Sequence, residues 1–107
     1  MTQETTRGKR VKNSVAIVTG ANGGLGSAIA LALGLEGAKV ALGVRQKRDA
    51  AEEVVAKIGA AGGSAYTDTL DVTSSDSIQN FVSKCHDQFG PTNILINTAG
   101  RIDPADT

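Results

Sequence analysis

Thr19-Gly20-Ala21-Asn22-Gly23-Gly24-Leu25-Gly26 places glycines and small residues at a spacing suited to capturing a phosphate or pyrophosphate. The run follows the apolar stretch Val15-Ala16-Ile17-Val18 and opens a segment whose apolar residues recur at helical intervals. A strand that turns through glycines into a helix offers free backbone N–H groups and the positive end of the helix dipole. Gly20 permits a tight exit from the strand, Gly24 removes a side chain where backbone approaches a ligand, and Gly26 lets the helix pack closely. The pattern is Gly-x-x-x-Gly-x-Gly. It is not Gly-x-Gly-x-x-Gly, and it is not a Walker loop, because Ser27 follows with no Gly-Lys-Ser/Thr nearby.

The end of the second strand decides which dinucleotide would fit. An acidic side chain there accepts hydrogen bonds from an adenosine ribose and repels a 2′-phosphate. This chain has Val44 instead, followed by Arg45-Gln46-Lys47-Arg48. An arginine at such a corner grips phosphate bidentately, each charge-assisted bond contributing about 1.5–3 kcal/mol. The pattern therefore predicts NADP(H) in preference to NAD(H), with Arg45 on the 2′-phosphate. The blander reading, a solvated basic start to a helix, runs against the helix dipole.

Two further strand ends carry candidates. Asp71-Val72 ends the third strand, expected beside the first; the carboxylate is placed to accept an adenine amino group while Val72 packs on the ring. Equally, Asp71 could only punctuate the strand and help start the next helix. Asn97 ends the fourth strand, where its amide can tie neighbouring loops, and Thr98-Ala99-Gly100 keeps that corner small enough for a ribose to pass. Cys85 falls on an apolar helix stripe and reads as a buried hydrophobe. His86, the only histidine, lies off that stripe. Tyr66, the only tyrosine, has Leu70 rather than lysine four residues on.

The elements that must position these residues follow from periodicity. Val15–Val18 reads as a buried strand. A helix over 24–36 would bury Leu25, Ile29, Ala32 and Leu33, ending at Gly37. Lys39–Val44 is a second strand, and a helix over 47–60 carries the stripe Ala51, Val54, Val55 and Ile58. Ser64–Leu70 is a third strand. Thr73 and Asp76 have the spacing of a capping pair before a helix with Ile78, Phe81, Val82, Cys85 and Phe89 on one face. Gly90-Pro91 stops it, and Asn93–Asn97 is a fourth strand. The order β-α-β-α-β-α-β predicts an α/β fold, a Rossmann-type doubly wound parallel sheet with right-handed crossovers.

Composition bounds the function. The chain has 107 residues, 40% of them hydrophobic, which suits one domain or part of a larger one. Eleven basic and 11 acidic residues give no net field toward nucleic acid or a membrane surface. One cysteine allows no internal disulfide and no cysteine-based zinc site, so no metal is expected. Three aromatics, Tyr66, Phe81 and Phe89, make no stacking surface for single strands. No apolar run approaches a membrane span or a signal peptide, and a cytoplasmic protein is expected. Residues 1–14 are polar with four basic side chains and read as a flexible lead-in to a domain over 15–107.

Together these residues resemble the short-chain dehydrogenase/reductase family in its classical branch, and the likeness covers the chain from residue 14 onward. The matches are Thr19-Gly20-x-x-x-Gly24-x-Gly26, Asp71-Val72, and Asn97-Thr98-Ala99-Gly100 after Ile94-Leu95-Ile96. Thr98 stands where the family usually has a second Asn. The resemblance implies that backbone from Gly20, Ala21, Asn22, Gly23, Gly24 and Leu25 lines the pyrophosphate and adjoining ribose, with Gly26 completing the motif. It implies Arg45 at the 2′-phosphate, Asp71 and Val72 at adenine, and Asn97, Ala99 and Gly100 beside the nicotinamide ribose. Members that prefer NADP often carry a basic residue inside the glycine loop, which Gly23 does not supply.

By the same resemblance, hydride passes between nicotinamide and a carbonyl or alcohol substrate, with a 3-oxoacyl thioester or similar ketone as the default. The catalytic Ser and Tyr-x-x-x-Lys of the family lie beyond the fourth strand, and this sequence holds none of them. The chain thus looks like the cofactor-binding, N-terminal part of a reductase that is a homo-oligomer at full length. Alone it is expected to be marginally stable, with an apolar edge at Ile94–Ile96, weak NADPH affinity and no turnover. The alternatives are a non-catalytic dinucleotide-binding or regulatory module and, further off, a site for a methyl donor.

Overall fold

The computed structural model describes residues 12–46 and 48–98. Four strands and three helices alternate along the chain: β1 (Val15–Thr19), α1 (Gly24–Leu35), β2 (Lys39–Val44), α2 (Asp49–Ala60), β3 (Ser64–Thr69), α3 (Ser75–Phe89) and β4 (Ile94–Asn97). The strands form one parallel sheet in the order β3-β2-β1-β4. That order explains the composition of each strand. All five residues of β1 are buried, as are Val40 to Val44 of β2, because these two strands are covered on both faces. The polar β3 and the short β4 are the outer strands among the described residues and are only half covered.

Strand alternation sorts the core into two layers. Val18, Val40, Leu42 and Val44 meet Ala30 of α1 and Ala51, Val54 and Ile58 of α2 on one face. Val15, Ile17 and Ala41 meet Phe81 and Cys85 of α3 on the other, with Leu70 closing the end. Helices therefore cover both faces, as the β-α alternation predicts.

Three local expectations are corrected. β3 does not lie beside β1; it pairs with β2, and β4 takes the place beside β1. Helix α1 buries Gly26, Ala30 and Gly34 rather than the predicted stripe: Leu25 and Ala32 are exposed, and Ile29 and Leu33 are half-buried. Small residues win that face because they let the helix sink toward its neighbours. A Cβ on Gly34 would run into Ile58, and one on Gly63 would come within 2.7 Å of the same side chain, so Ile58 of α2 fills a notch cut by two glycines. The capping pair is also displaced by one residue. Ser74, not Thr73, is the N-cap of α3, its Oγ accepting from Ser77 N at 3.2 Å.

Gly37 closes α1 as predicted. Its φ of +103° is open to glycine, and Ala38 N donates back to Leu33 O at 3.0 Å, satisfying a terminal carbonyl.

Candidate functional site

In a parallel sheet all strands point the same way, so residues that follow their C-terminal ends gather along one edge. Register aligns them here: Thr19 lies opposite Gly43 on one side and Asn97 on the other, and Val44 opposite Thr69. The glycine turn, Arg45, Asp71-Val72 and Asn97 are thereby brought to one end of the sheet. Ala99, Gly100 and Lys47 lie outside the described residues.

The turn after β1 is built from backbone contacts. Gly20 has φ +69°, a conformation that favours glycine, and its N–H donates to Gly43 O at 2.9 Å. Ala21 is completely buried in the first core layer and anchors the turn there. Gly23 is the N-cap of α1 in extended conformation and brings no side chain to cap the helix. Gly26 is buried where the helix crosses the turn. A Cβ there would collide with Gly20 O and sit 2.7 Å from Thr98 Oγ1.

The three helix starts differ in a telling way. Helix α2 has Asp49 and Glu52 in its first turn, and α3 has both the Ser74 cap and Asp76. Helix α1 has no side-chain cap and no acidic residue in its first turn. The N–H groups of Gly24 and Leu25 open a helix whose positive end is uncompensated. Gly24 adds a second observation: a Cβ built there meets nothing within 4 Å, and its φ is not one that demands glycine. Among the described residues, neither packing nor backbone conformation accounts for glycine at that position.

Beyond β2, Arg45 is exposed, and its guanidinium makes no hydrogen bond or ion pair among the described residues. Arg48 behaves differently. Its Nη2 donates to Thr67 O at 2.8 Å and its Nε is buried, so this cation braces the α2 start against β3 rather than facing a ligand. Between turn and corner, Asn22 Nδ2 donates to Gln46 O at 3.0 Å.

Asp71 folds back on its own loop. Its Oδ1 accepts from Thr73 N at 3.0 Å and from Thr73 Oγ1 at 2.6 Å. These bonds, with the charge of Arg45 behind them, hold its carboxyl below the usual carboxylate range. Arg45 and Asp71 therefore feel each other across the strand ends. Val72 and Asn97 share the rim of an apolar hollow of about 200 Å³, whose walls include Thr19, Leu70, Phe81 and Leu95.

Asn97 is fixed by Thr19, whose Oγ1 donates to Asn97 Oδ1 at 2.7 Å. Thr98 adds a stitch that motif reading passed over. Its hydroxyl donates to Thr19 O at 2.5 Å, and the same oxygen lies where a Cβ on Gly26 would intrude. A short side chain beside the motif glycine was the available signal. Tyr66, Cys85 and His86 stand apart from this edge. Tyr66 packs its ring on Phe81 and Phe89 at centroid distances of 6.3 and 5.4 Å. Burial, then the neighbouring Cys85, pushes its phenol pKa upward, away from the range of a proton-transfer group. Burial likewise raises the Cys85 thiol, and His86 is exposed on α3. Among the described residues no helix is long and apolar enough to cross a membrane, and no group of side chains could hold a metal ion.

Comparison with known proteins points the same way as this geometry. Residues 14–107 match the family model described as short chain dehydrogenase. Versicolorin reductase of Emericella nidulans is 40% identical over 85% of this chain and 34% of its own length. A 3-oxoacyl-[acyl-carrier-protein] reductase of Synechocystis is 41% identical over 80% of the chain and 35% of its own. A hydroxysteroid dehydrogenase from Escherichia coli superposes with a TM-score of 0.80 at 32% identity, over 90% of this chain and 40% of that one. The chain thus spans about a third of the two curated relatives named here, and 7% of a much longer glycine betaine reductase of Emericella nidulans that is 41% identical to it. With the family match covering every strand and helix described above, the chain belongs to the short-chain dehydrogenase family, whose members are oxidoreductases that bind NAD(P).

Proposed function

We propose that this chain forms the NADP(H)-binding part of an oxidoreductase that moves hydride between nicotinamide and a carbonyl or alcohol carbon. The observation that carries the reading is the start of α1: a helix dipole without cap or acidic residue, fronted by a glycine with open space before it. A pyrophosphate is the group that both features suit. Gly20 to Leu25 would line it through backbone, with Gly26 setting the helix against the turn. Val44, buried and uncharged, leaves the ribose corner without a carboxylate, and exposed Arg45 supplies a guanidinium for a 2′-phosphate. This favours NADP(H) over NAD(H).

Asp71 and Val72 would border adenine, with Asp71 offering the oxygen that Thr73 does not take. Asn97, oriented by Thr19, would stand beside the nicotinamide ribose with Ala99 and Gly100. When bound, the dinucleotide supplies or accepts the hydride. The residues of this stretch bind and orient it. Proton transfer at the substrate is not assigned to any of them, because the only tyrosine is packed against α3 with its phenol held neutral. The relatives named as 3-oxoacyl-[acyl-carrier-protein] reductases support a 3-oxoacyl thioester or similar ketone as the substrate class. The full-length enzyme of this reading is homo-oligomeric and cytoplasmic.

Titration with NADPH and NADH tests the proposal, with backbone amide resonances of residues 20–26 as the readout. Those resonances should shift on saturation, and NADPH should bind more tightly. Unmoved resonances at saturation would overturn the site; equal affinities would overturn the NADP(H) preference.

A further inference from the structure

We infer that Asn22 is a positioning residue for cofactor choice: its side chain latches the corner that carries Arg45 to the glycine turn. The inference rests on the NADP(H) reading above. Gly20 N donates to Gly43 O at 2.9 Å, and Asn22 Nδ2 donates to Gln46 O at 3.0 Å. Arg45 lies between these two anchored carbonyls. From the far side, Arg48 Nη2 holds the corner to Thr67 O at 2.8 Å.

Apolar packing does not do this job, since Arg45 and Gln46 are both exposed. Among the described residues, the Asn22 amide is the side-chain hydrogen bond reaching the corner from the turn. A guanidinium grips phosphate well only when its plane faces two oxygens together. Letting residue 46 drift would therefore weaken the 2′-phosphate contact while leaving the backbone contacts of Gly20 to Leu25 with the pyrophosphate intact. Asn22 acts through the Gln46 carbonyl; its own side chain is not the phosphate ligand.

The test measures dissociation constants for NADPH and NADH by calorimetric titration of the wild-type protein, Asn22→Ala, Arg45→Ala and the double variant. Thermal melts of each serve as a folding control. Asn22→Ala should lower the NADPH preference about three- to tenfold, the span of one surface hydrogen bond, with NADH affinity changed less than about twofold. In the Arg45→Ala background the same change should leave the preference where it is. Parallel loss for both cofactors, or an undiminished Asn22 effect without Arg45, would overturn the latch. An Arg45→Ala variant with unaltered preference would overturn the NADP(H) reading and the latch together. Loss of preference in Arg45→Ala but not in Asn22→Ala would overturn the latch alone.

Discussion

The hydroxyl of Thr19 donates to the side-chain oxygen of Asn97 across 2.7 Å, joining the last residues of β1 and β4. The bond is made by a side chain only 5% exposed, so little water is at hand to replace it. It fixes which face of the Asn97 amide points toward the strand ends. Thr19→Val keeps the shape and removes the donor. It should lower stability by about 1 kcal/mol in urea unfolding, with an unchanged slope, because an acceptor is left without that partner. An undiminished midpoint would show that the bond adds nothing to the fold.

Two glycines two residues apart should respond in opposite ways. Gly26→Ala drives a methyl into the Gly20 carbonyl and the Thr98 hydroxyl, and should cost about 1–3 kcal/mol of stability. Gly24→Ala meets open space and should leave the melting temperature level or slightly raised, by about 0.4–1 kcal/mol in stability terms. The same Gly24→Ala should weaken NADPH about tenfold or more, since on the proposed reading its methyl enters the space the ligand would take. A Gly24→Ala protein that binds normally would argue against close backbone approach at that point.

The junction of α1 and α2 rests on Ile58. Its side chain is fully buried and fits against Gly34 and Gly63. Ile58→Ala should cost about 2–5 kcal/mol by leaving the notch empty. Gly34→Ala fills the notch from the other side and should also destabilise, by about 1–3 kcal/mol. Combined in one chain, the two changes should be less harmful than their sum, which a double-mutant cycle would read directly.

Tyr66 predicts an alkaline limit. Burial raises its phenol above the ordinary value of 10.0, so the folded chain holds that proton more tightly than the unfolded one. The stability this contributes is complete below pH 10.0 and is lost as pH climbs from there toward the higher folded value. Tyr66→Phe should change stability by less than about 1 kcal/mol at pH 7, since its buried hydroxyl makes no conventional hydrogen bond among the described residues. Above pH 10.0 the variant should fall off less steeply than the parent, as followed by circular dichroism.

Periodicity placed every strand and helix within about two residues, because each element is either wholly apolar or amphipathic at one period. What it missed has physical causes. The buried face of α1 is made of Gly26, Ala30 and Gly34, and no hydrophobicity count ranks glycine as core. The strand order is not a local property: nothing in Ser64–Thr69 says whether it pairs with β1 or β2, although its polar side chains do suit an outer strand. Arg48 and Arg45 look equivalent in the sequence. Only the fold separates them, because Arg48 lies within reach of the Thr67 carbonyl and Arg45 stays exposed after the strand end. The glycine motif was legible because its backbone task leaves few other residue choices.

Sheet order also governs when the two halves of the nucleotide edge can exist. The Asn22–Gln46 and Thr67–Leu42 contacts close spans of 24 and 25 residues, whereas Thr19–Asn97 closes 78. Ring closure over the longer span costs about 1 kcal/mol more in chain entropy. On a ribosome, the first three strands can zip together while Asn97 is still inside the exit tunnel. The turn and its arginine corner are thus native-like first, and the Thr19–Asn97 side of the edge follows. On the proposed reading, a dinucleotide would act as a late clamp, drawing the nascent β4 onto a half-built cradle.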